Sequence, residues 1–523
     1  MAKSKAVLLS SIKMALATFC SRIFGLVREQ VLAFMFGASS MTDAFYVAFR
    51  IPNLLRDLFA EGAFSAAFVP TFIEAKEQSA ESARKLLWSL LVVLTGTTLT
   101  ISGLIIYFAP EIVSVFAPGF VGDAEKFEVT VGLTRIMAPF LCFVSVAALF
   151  MGALNSLKVF FVPALAPAFF NVTMIISMIA LPAWMTSHGY PAIYALGAGV
   201  FIGGLVQGLV QVPLIIKHGF GPALGGGLHP KTKKVIKLLG PGLIGFAATQ
   251  VNLIVNTILA TGTVVGAVSW LSYAFRLFQL PVGILSVSIG NANLVHFSNA
   301  WKANNDEEAK DILKGSYLTG WMIILPAMVI SIIFAQEIVH LIFERGEFDQ
   351  TSTLMTSKAL MWYALGLPFY GIYKILVPAF YTIDRQKVPV YCSIFSIIFN
   401  IVFCVSLVPV YGFEVLALGT TVSMFLNSSA QTFIMSKDLK VSLFEFLNLR
   451  LLKVFLAAFV TAGMTWFVNN KIPYFELNFY GKCAYLAISF TCVFLVYGLL
   501  LFLLGERSVV LKALNRIKKR LGK

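Results

Sequence analysis

The chain has 523 residues, of which 58% are hydrophobic and only 12% are charged, and its mean hydropathy is +0.85. This composition excludes a water-soluble globular protein, whose surface needs far more polar residues. The formal net charge of +15 follows the membrane topology derived from the loops and does not indicate nucleic-acid binding.

Long apolar segments run through the whole chain and leave no room for a large soluble domain. A helix needs roughly 20 residues to cross about 30 Å of hydrocarbon, and this rule predicts an all-α polytopic membrane protein with about fourteen transmembrane helices. Lys3 and Lys5 precede a short apolar run that resembles a signal peptide, but Lys13 interrupts it, so we predict a first membrane helix and no cleavage. The predicted spans lie near 12–36, 42–74, 85–108, 127–154, 160–181, 191–216, 234–261, 266–298, 314–335, 354–381, 388–408, 414–436, 451–469 and 482–504.

The lysines and arginines in the loops and at the ends of these spans are distributed very unequally between the two sides. The even-numbered loops and the termini hold 28 of the 40 basic residues, whereas the odd-numbered loops hold only Lys126, Arg345, Lys471 and Lys482. The positive-inside rule therefore predicts that both termini are cytoplasmic and that the number of spans is even. The basic amphipathic tail, residues 506–523, is expected to lie on anionic headgroups.

Two parts of the chain resemble each other weakly. Val162-Pro163 and Val388-Pro389 each lead into an apolar helix that contains an asparagine, Asn171 or Asn400. This similarity favours two pseudo-symmetric six-helix lobes, although helices bounded by Pro and Gly also look alike by chance. The predicted domains are an N-terminal lobe at 1–217 with spans 1–6, a C-terminal lobe at 218–440 with spans 7–12, spans 13 and 14 at 441–505, and the tail at 506–523.

The cysteines and histidines indicate no metal site. The six cysteines and five histidines are dispersed singly along the chain. Zinc sites need closely spaced pairs of such residues, so no metal is predicted.

Eight of the 40 basic residues remain once those of the loops and of the span ends are set aside, and these eight are assigned to the spans. A charge at the bilayer centre costs at least about 2.5 kcal/mol, so these residues indicate a polar, water-filled interior. Ion pairs are the alternative, and the nearby acids allow Arg28 with Asp43, or Arg50 with Asp57 or Glu61. The eight residues are Arg22, Arg28, Arg50, Arg56, Arg135, Arg276, Lys358 and Lys374.

Arg276 stands out because no acidic residue occurs between Leu253 and Asn304. A cation without a local acidic partner favours an anionic ligand. Since the guanidinium fork binds phosphate oxygens in a bidentate way, the sequence predicts an anionic and phosphorylated substrate.

Several long motifs resemble the MurJ (MviN) family of lipid II flippases, over essentially the whole chain. The family belongs to the multidrug/oligosaccharidyl-lipid/polysaccharide exporter superfamily. The motifs are found at residues 21–29 (SRIFGLVRE), 36–38, 42–45, 51–56, 59–65, 117–120, 152–155, 268–270 and 274–277.

The resemblance implies a transporter and not an enzyme, with a central cavity between two lobes. It implies that lipid II, the undecaprenyl-pyrophosphate-linked peptidoglycan precursor, moves from the cytoplasmic to the periplasmic leaflet of the bacterial inner membrane by alternating access. Spans 13 and 14 are expected to form a groove for the polyprenyl tail. Asp43 is expected to compete with the ligand for an arginine. The implied substrate-binding residues are Arg22, Arg28, Arg56, Arg276, Asp43, Ser21 and Ser269, to which the charge analysis adds Arg50.

Span 8 departs from the family pattern. Phe275 and Gln279 occupy positions where the family often has acids, and the segment that contains Asn291 and Asn293 lacks the usual proline. These changes make the span more cationic and leave the exact lipid-linked substrate and the gating open.

No cofactor is predicted, and the driving force is open between membrane potential, sodium and protons. Asn252, Asn256 and Asn400 could ligate sodium or could pack in the core. We expect a monomer, and an association with the cell-wall synthesis machinery stays open.

Two alternative functions remain at this point. One is an exporter of another polyprenyl-linked oligosaccharide or of a drug. The other is a membrane glycosyltransferase, for which Glu344, Glu347 and Asp349 are the candidate catalytic acids on an extracytoplasmic loop.

Overall fold

The structure is a computed structural model that describes residues 2–60, 63–223 and 227–506. Side chains are described over 13–54, 56, 67–223, 227–238, 250–283 and 295–506. All regular secondary structure in these ranges is helical, which confirms the predicted all-α class. The predicted tail from 507 onwards and the side chains of Asp57, Glu61, Asn291 and Asn293 lie outside the described part.

The described residues form α-helices and two short 3-10 turns, Pro118–Phe120 and Tyr474–Glu476. The α-helices are α1 Ala2–Phe36, α2 Ser40–Ala60, α3 Ala63–Gln78, α4 Ala80–Tyr107, α5 Ala109–Phe116, α6 Ala124–Met137, α7 Phe140–Ser156, α8 Phe161–Ala180, α9 Pro182–Ser187, α10 Tyr194–Leu209, α11 Val212–Lys217, α12 Lys231–Thr261, α13 Ala267–Lys302, α14 Asp306–Ile333, α15 Ala335–Phe343, α16 Gln350–Ala364, α17 Leu367–Thr382, α18 Lys387–Tyr411, α19 Glu414–Asp438, α20 Leu443–Phe446, α21 Leu449–Asn469 and α22 Phe479–Leu503.

The predicted spans agree with these helices. Each predicted segment coincides with one α-helix or with two consecutive ones. Among the described residues, eight helical segments are long and apolar enough to cross a membrane, or nine if the bent pair α16–α17 is one span. The polytopic membrane class is thus confirmed, while the exact number of fourteen spans stays a prediction.

The α16–α17 pair shows how the sequence bends a span. The two helices meet at an angle of 42°. Pro368 stands in the first turn of α17, where its missing N–H costs nothing. A Cβ atom at Gly366 would lie 2.8 Å from Thr421 Oγ1, so glycine permits the close approach of α19. Thr421 Oγ1 in turn donates a hydrogen bond of 2.6 Å to the backbone oxygen of Trp362.

The contacts divide the chain into two compact units. The first comprises Met1–Ser269 with Arg345–Phe348, and the second comprises Trp270–Glu344 with Asp349–Lys523. Helix α12 therefore groups with the first unit, on the other side of the predicted lobe boundary at 217/218. The pseudo-symmetry of the two lobes stays a prediction.

The first unit packs through aromatic residues and small residues. Phe68 and Phe72 of α3 are fully buried in a core cluster with α4 and α7. Helix α10 approaches α8 so closely at Gly203 that a Cβ atom there would lie 2.9 Å from the Phe170 ring. Such small-residue contacts are typical of helices that associate within a membrane.

The second unit combines an apolar core with a buried polar seam. Its core gathers residues of α14, α17, α19 and α21. Between α18 and α19, Asn427 Nδ2 donates to Ser396 Oγ at 3.2 Å, and Ser423 Oγ donates to the Ser396 backbone oxygen at 2.9 Å. Asn400 is fully buried here against Gly419 and Cys404, which is the packing alternative of the sequence analysis.

Candidate functional site

The predicted substrate residues occupy three helices. Ser21, Arg22 and Arg28 lie on α1; Asp43, Arg50 and Arg56 lie on α2; Ser269 and Arg276 lie on α13. Their environments differ widely, since Arg22 is exposed, Arg28, Asp43 and Ser269 are buried, and the other four are intermediate.

One face of α1 is directed at α8. Ser21, Gly25 and Arg28 are spaced i, i+4 and i+7, which places them on one helical face. Asn171 of α8 donates from Nδ2 to the Ser21 backbone oxygen at 3.4 Å. A Cβ atom at Gly25 would still be 3.5 Å from Asn171 Nδ2, so this position sits directly against the asparagine.

Arg28 is held in a buried polar group, which we call the Arg28 cluster and which consists of Arg28, Glu29, Tyr46 and Asn171. The Arg28 side chain donates from Nη1 to Asn171 Oδ1 at 3.1 Å and from Nη2 to Glu29 Oε1. Glu29 Oε2 accepts a hydrogen bond of 2.7 Å from the Tyr46 hydroxyl. Arg28 therefore pairs with Glu29 and not with Asp43.

The guanidinium of Arg28 is not saturated. The residue is only 8% exposed, and its Nε atom is buried without a hydrogen-bond partner in the described part of the chain. A buried donor without an acceptor is costly, so this N–H is available to a ligand oxygen.

Asp43 forms a second buried group, which we call the Asp43 clamp and which consists of Asp43, Lys126, Gly266 and Ser269. Its Oδ1 accepts from the Ser269 backbone N–H at 2.9 Å and from Ser269 Oγ at 2.7 Å. Its Oδ2 accepts from the Gly266 N–H at 2.7 Å and lies 3.3 Å from Lys126 Nζ.

The Asp43 clamp works as a helix cap supplied from another helix. Gly266 and Ser269 bracket the start of α13, where backbone N–H groups have no partner within the helix. A carboxylate at this end satisfies two such donors and opposes the positive end of the helix dipole. Asp43 is 1% exposed and binds protein groups at both oxygens, so the expected competition with an arginine is not what this structure shows.

Lys126 is a buried partner of Asp43, although its sequence position indicated only a loop residue. Its side chain is buried, and Nζ lies 3.9 Å from the centre of the Phe120 ring. One sequence feature could have identified it, since it is one of only four basic residues in the odd-numbered loops. Lys482 is another, and it donates to His340 Nε2 at 2.9 Å.

The remaining arginines are less enclosed. Arg50, Arg56 and Arg276 are partly exposed, and each interacts with a neighbouring group. The lack of an acid between Leu253 and Asn304 therefore does not leave Arg276 without an interaction partner. The predicted pairing of Arg50 with Asp57 or Glu61 falls on side chains outside the described ranges.

Two of the three candidate catalytic acids of the glycosyltransferase alternative use their side chains in structural contacts. Asp349 caps α16 by accepting from the Ser352 N–H at 2.8 Å. Glu344 pairs with His340 at 2.9 Å. The backbone N–H of Glu347 donates to the Phe34 oxygen at 2.9 Å, which ties this loop to the end of α1.

The arginine side chains of the candidate site can bind anions. Within the described ranges, no three His, Cys, Asp or Glu side chains gather closely enough to hold a metal ion. In the first unit, the open N–H of Arg28 and the other arginines of α1 and α2 suit phosphate oxygens, and in the second unit the side chain of Arg276 does so as well.

Comparisons with known proteins agree with the resemblance. The family model for the lipid II flippase MurJ matches residues 32–491. A relative from Buchnera aphidicola subsp. Schizaphis graminum, named "Probable lipid II flippase MurJ", is 32% identical over 516 residues, which cover 96% of this chain and 97% of the relative. The "Lipid II flippase MurJ" of Burkholderia cenocepacia is 36% identical over 417 residues, which cover 79% and 80%.

Solved structures give the same result. The lipid II flippase MurJ in an inward closed conformation superposes with a TM-score of 0.80 at 28% identity, covering 95% of this chain and 100% of that chain. An inward-facing multidrug resistance transporter of the MATE family and MOP superfamily shares the fold, with a TM-score of 0.64 at 14% identity over 82% of this chain and 98% of that chain. The chain is therefore a multi-pass bacterial inner-membrane protein that belongs to the MurJ family of lipid II flippases.

Proposed function

We propose that this protein moves lipid II from the cytoplasmic to the periplasmic leaflet by alternating access. The observation that carries the proposal is the buried Nε–H of Arg28, which has no acceptor among the described residues of a chain that belongs to this family. A pyrophosphate oxygen supplies the missing acceptor. We also assign Arg22, Arg56 and Arg276 to the phosphates, and we keep Arg50 and Ser21 as further substrate-binding residues.

The phosphate contact at Arg28 requires little rearrangement. Glu29 neutralises the guanidinium through Nη2, and Asn171 fixes Nη1, so the fork is oriented before a ligand arrives. An oriented donor loses less conformational entropy on binding than a mobile one. Arg28 thus fixes where the phosphate binds, while the more exposed arginines contribute mainly favourable charge.

The Asp43 clamp has a different part in the cycle. The clamp fixes the first turn of α13 while the odd-numbered loops are packed together. It releases that turn when the protein opens on the side of the membrane where these loops lie. Because Asp43 already accepts three hydrogen bonds and faces Lys126, its role is to hold α13 and not to bind substrate. A ligand that binds the released state better shifts the population towards it.

The direction of transport follows from charge. The excess of basic residues in the even-numbered loops supports cytoplasmic termini. A potential that is negative inside then favours outward movement of an anion by about 2.3 kcal/mol per charge per 100 mV. Transport in vesicles should therefore slow when the potential is collapsed at constant sodium, and should persist when sodium is replaced at constant potential.

The function is tested by depleting the flippase of a bacterial host and supplying this protein. The fraction of lipid II in the outer leaflet is measured with a membrane-impermeant enzyme that cleaves it. Wild type restores this fraction, and Arg276→Ala lowers the transport rate about tenfold or more, because a charge-assisted contact to phosphate is lost. Arg135→Ala is the matched control, since Arg135 is exposed and, within the described residues, donates to the Ile106 backbone oxygen.

Two results would overturn the assignment. Normal transport by Arg276→Ala removes that residue from the substrate site. Restored export of a different lipid-linked oligosaccharide, without transport of lipid II, shows that the substrate is wrong and favours the sister exporter function.

A further inference from the structure

A half-open cavity of about 550 Å³ lies within the second unit, away from the predicted substrate residues. Its walls come from the end of α14, the start of α15, one face of α16, the end of α21 and the connection 470–476. None of the arginines assigned to lipid II lines it.

Glu337 is the central polar group of this cavity. The residue is 7% exposed, and its Oε1 accepts a hydrogen bond of 2.8 Å from Asn469 Nδ2. The Tyr474 hydroxyl donates to the Glu337 backbone oxygen at 3.1 Å, which fixes the turn that carries the carboxylate. No lysine, arginine or histidine of the described residues forms an ion pair with Glu337, although a buried carboxylate is costly without one.

The charge of the cavity lining is acidic. Glu337 and Glu476 contribute two carboxylates, and Lys358 contributes the only cation among the lining residues. Lys358 is already paired with Glu414 at 3.3 Å, and Glu414 is not part of the lining. The lining therefore repels a pyrophosphate and attracts a group that carries a positive charge and can donate hydrogen bonds.

The side chains around the cavity are also of the types that contact lipids. Aromatic side chains are exposed around it, with Trp466 at 60% and Phe475 at 49% exposure. Trp and other aromatic residues at the ends of membrane helices are typical of the interface between headgroups and hydrocarbon. Ile332, Leu354 and Met361 add an apolar wall on the side of the helices.

We propose that this cavity binds the headgroup of a phospholipid with a primary ammonium, in the leaflet that meets the α14–α15 and α21–α22 connections. The ammonium donates to Glu337 and faces Glu476, the phosphate lies outside at the mouth, and an acyl chain follows Trp466. The site is separate from the proposed transport of lipid II, so it can hold or fail independently of that function.

The proposal is tested by native mass spectrometry of the full-length protein in detergent, titrated with dioleoyl phosphatidylethanolamine, phosphatidylcholine or phosphatidylglycerol. We expect the ethanolamine lipid to bind most tightly, because the choline ammonium cannot donate hydrogen bonds and the glycerol headgroup carries no cation. In Glu337→Gln, which keeps the shape of the side chain, affinity for the ethanolamine lipid should fall about tenfold. Glu111→Gln, an exposed acid on α5 outside the cavity, should bind like wild type.

A second variant guards against a folding defect. Ile472 is exposed at the cavity wall, so Ile472→Trp should block the lipid while the unfolding temperature in detergent stays unchanged. Wild-type affinity in Glu337→Gln, or equal binding of phosphatidylglycerol to the wild type, would overturn the proposal. Equally tight binding of water-soluble phosphoethanolamine would show that the site takes a free amine and not a lipid.

Discussion

The Arg28 cluster and the Asp43 clamp are both buried groups of charged side chains in the first unit, but they differ in how completely they are satisfied. Asp43 accepts three hydrogen bonds and lies 3.3 Å from Lys126. Arg28 has one acid and one amide as partners, and its Nε remains without an acceptor. Arg28 therefore keeps one hydrogen-bond donor for a further acceptor, whereas both oxygens of Asp43 already have partners.

This difference distinguishes a buried charge that stabilises the fold from one that can bind a ligand. A buried ion whose atoms all have partners can only lose interactions when its surroundings change, so it stabilises one conformation. A buried donor that lacks an acceptor gains an interaction when a ligand arrives. By this criterion Asp43 stabilises the start of α13, and Arg28 is the residue that we propose to bind an anion.

The largest expected effect is on the clamp itself. Asp43→Ala leaves Lys126 buried without its partner and strips two N–H groups at the start of α13, so unfolding free energy should fall by about 3–5 kcal/mol. Thermal unfolding in detergent, followed by intrinsic fluorescence, measures the loss. The double variant Asp43→Asn with Lys126→Met removes both charges and should recover a large part of it. No recovery would mean that the ion pair is not the source of the effect.

Removing both charges of the Arg28 cluster should change stability little and transport strongly. In Arg28→Met with Glu29→Gln, stability should stay within about 1 kcal/mol of wild type, because no buried charge is left unpaired. Transport of lipid II should nevertheless fall about tenfold or more, since the phosphate contact is gone. The leaflet assay and the unfolding assay together decide the matter. Transport that declines only in proportion to stability would place Arg28 in the same structural class as Asp43.

Glycine substitutions test whether the α1–α2 turn, which precedes Asp43, is also tightly packed. A Cβ atom at Gly37, whose φ is +61°, would lie 2.3 Å from the Glu347 backbone oxygen, whereas one at Gly189, whose φ is +77°, would meet nothing within 4 Å. Gly189→Ala should cost about 1–2 kcal/mol from backbone strain alone. Gly37→Ala should cost about 1–3 kcal/mol more because of overpacking. Equal unfolding temperatures for the two variants would show that the Glu347 loop yields freely.

The sequence predicted the helices better than it predicted the partners of the charges. Apolar length located every helix that carries the site, because the hydrocarbon thickness sets that length. The resemblance and the charge count selected Arg28 and Asp43. They could not reveal that Glu29, adjacent to Arg28, is its partner, or that Lys126 reaches Asp43 across 83 positions. Those pairings depend on how α1, α2 and α6 pack, which periodicity does not specify.

The smallest expected effect lies outside the membrane, at His229 in the connection before α12. Its Nδ1 accepts from the Lys231 backbone N–H at 3.2 Å, and its Nε2 lies 3.1 Å from Ser82 Oγ. Burial, followed by the charges of Lys231 and Lys85, lowers the pKa of His229 below its ordinary value of 6.5. The folded protein therefore binds a proton less readily than the unfolded chain, and stability should decrease as pH falls through 6.5. Unlike the pairs within the membrane, the His229 contact can be weakened by changing the pH of the solution. The fall in unfolding temperature between pH 7.5 and 5.5 should be smaller in His229→Asn, whose side-chain oxygen can accept from Lys231 without titrating. Identical pH dependence in both proteins would show that the imidazole is not the group that senses acid.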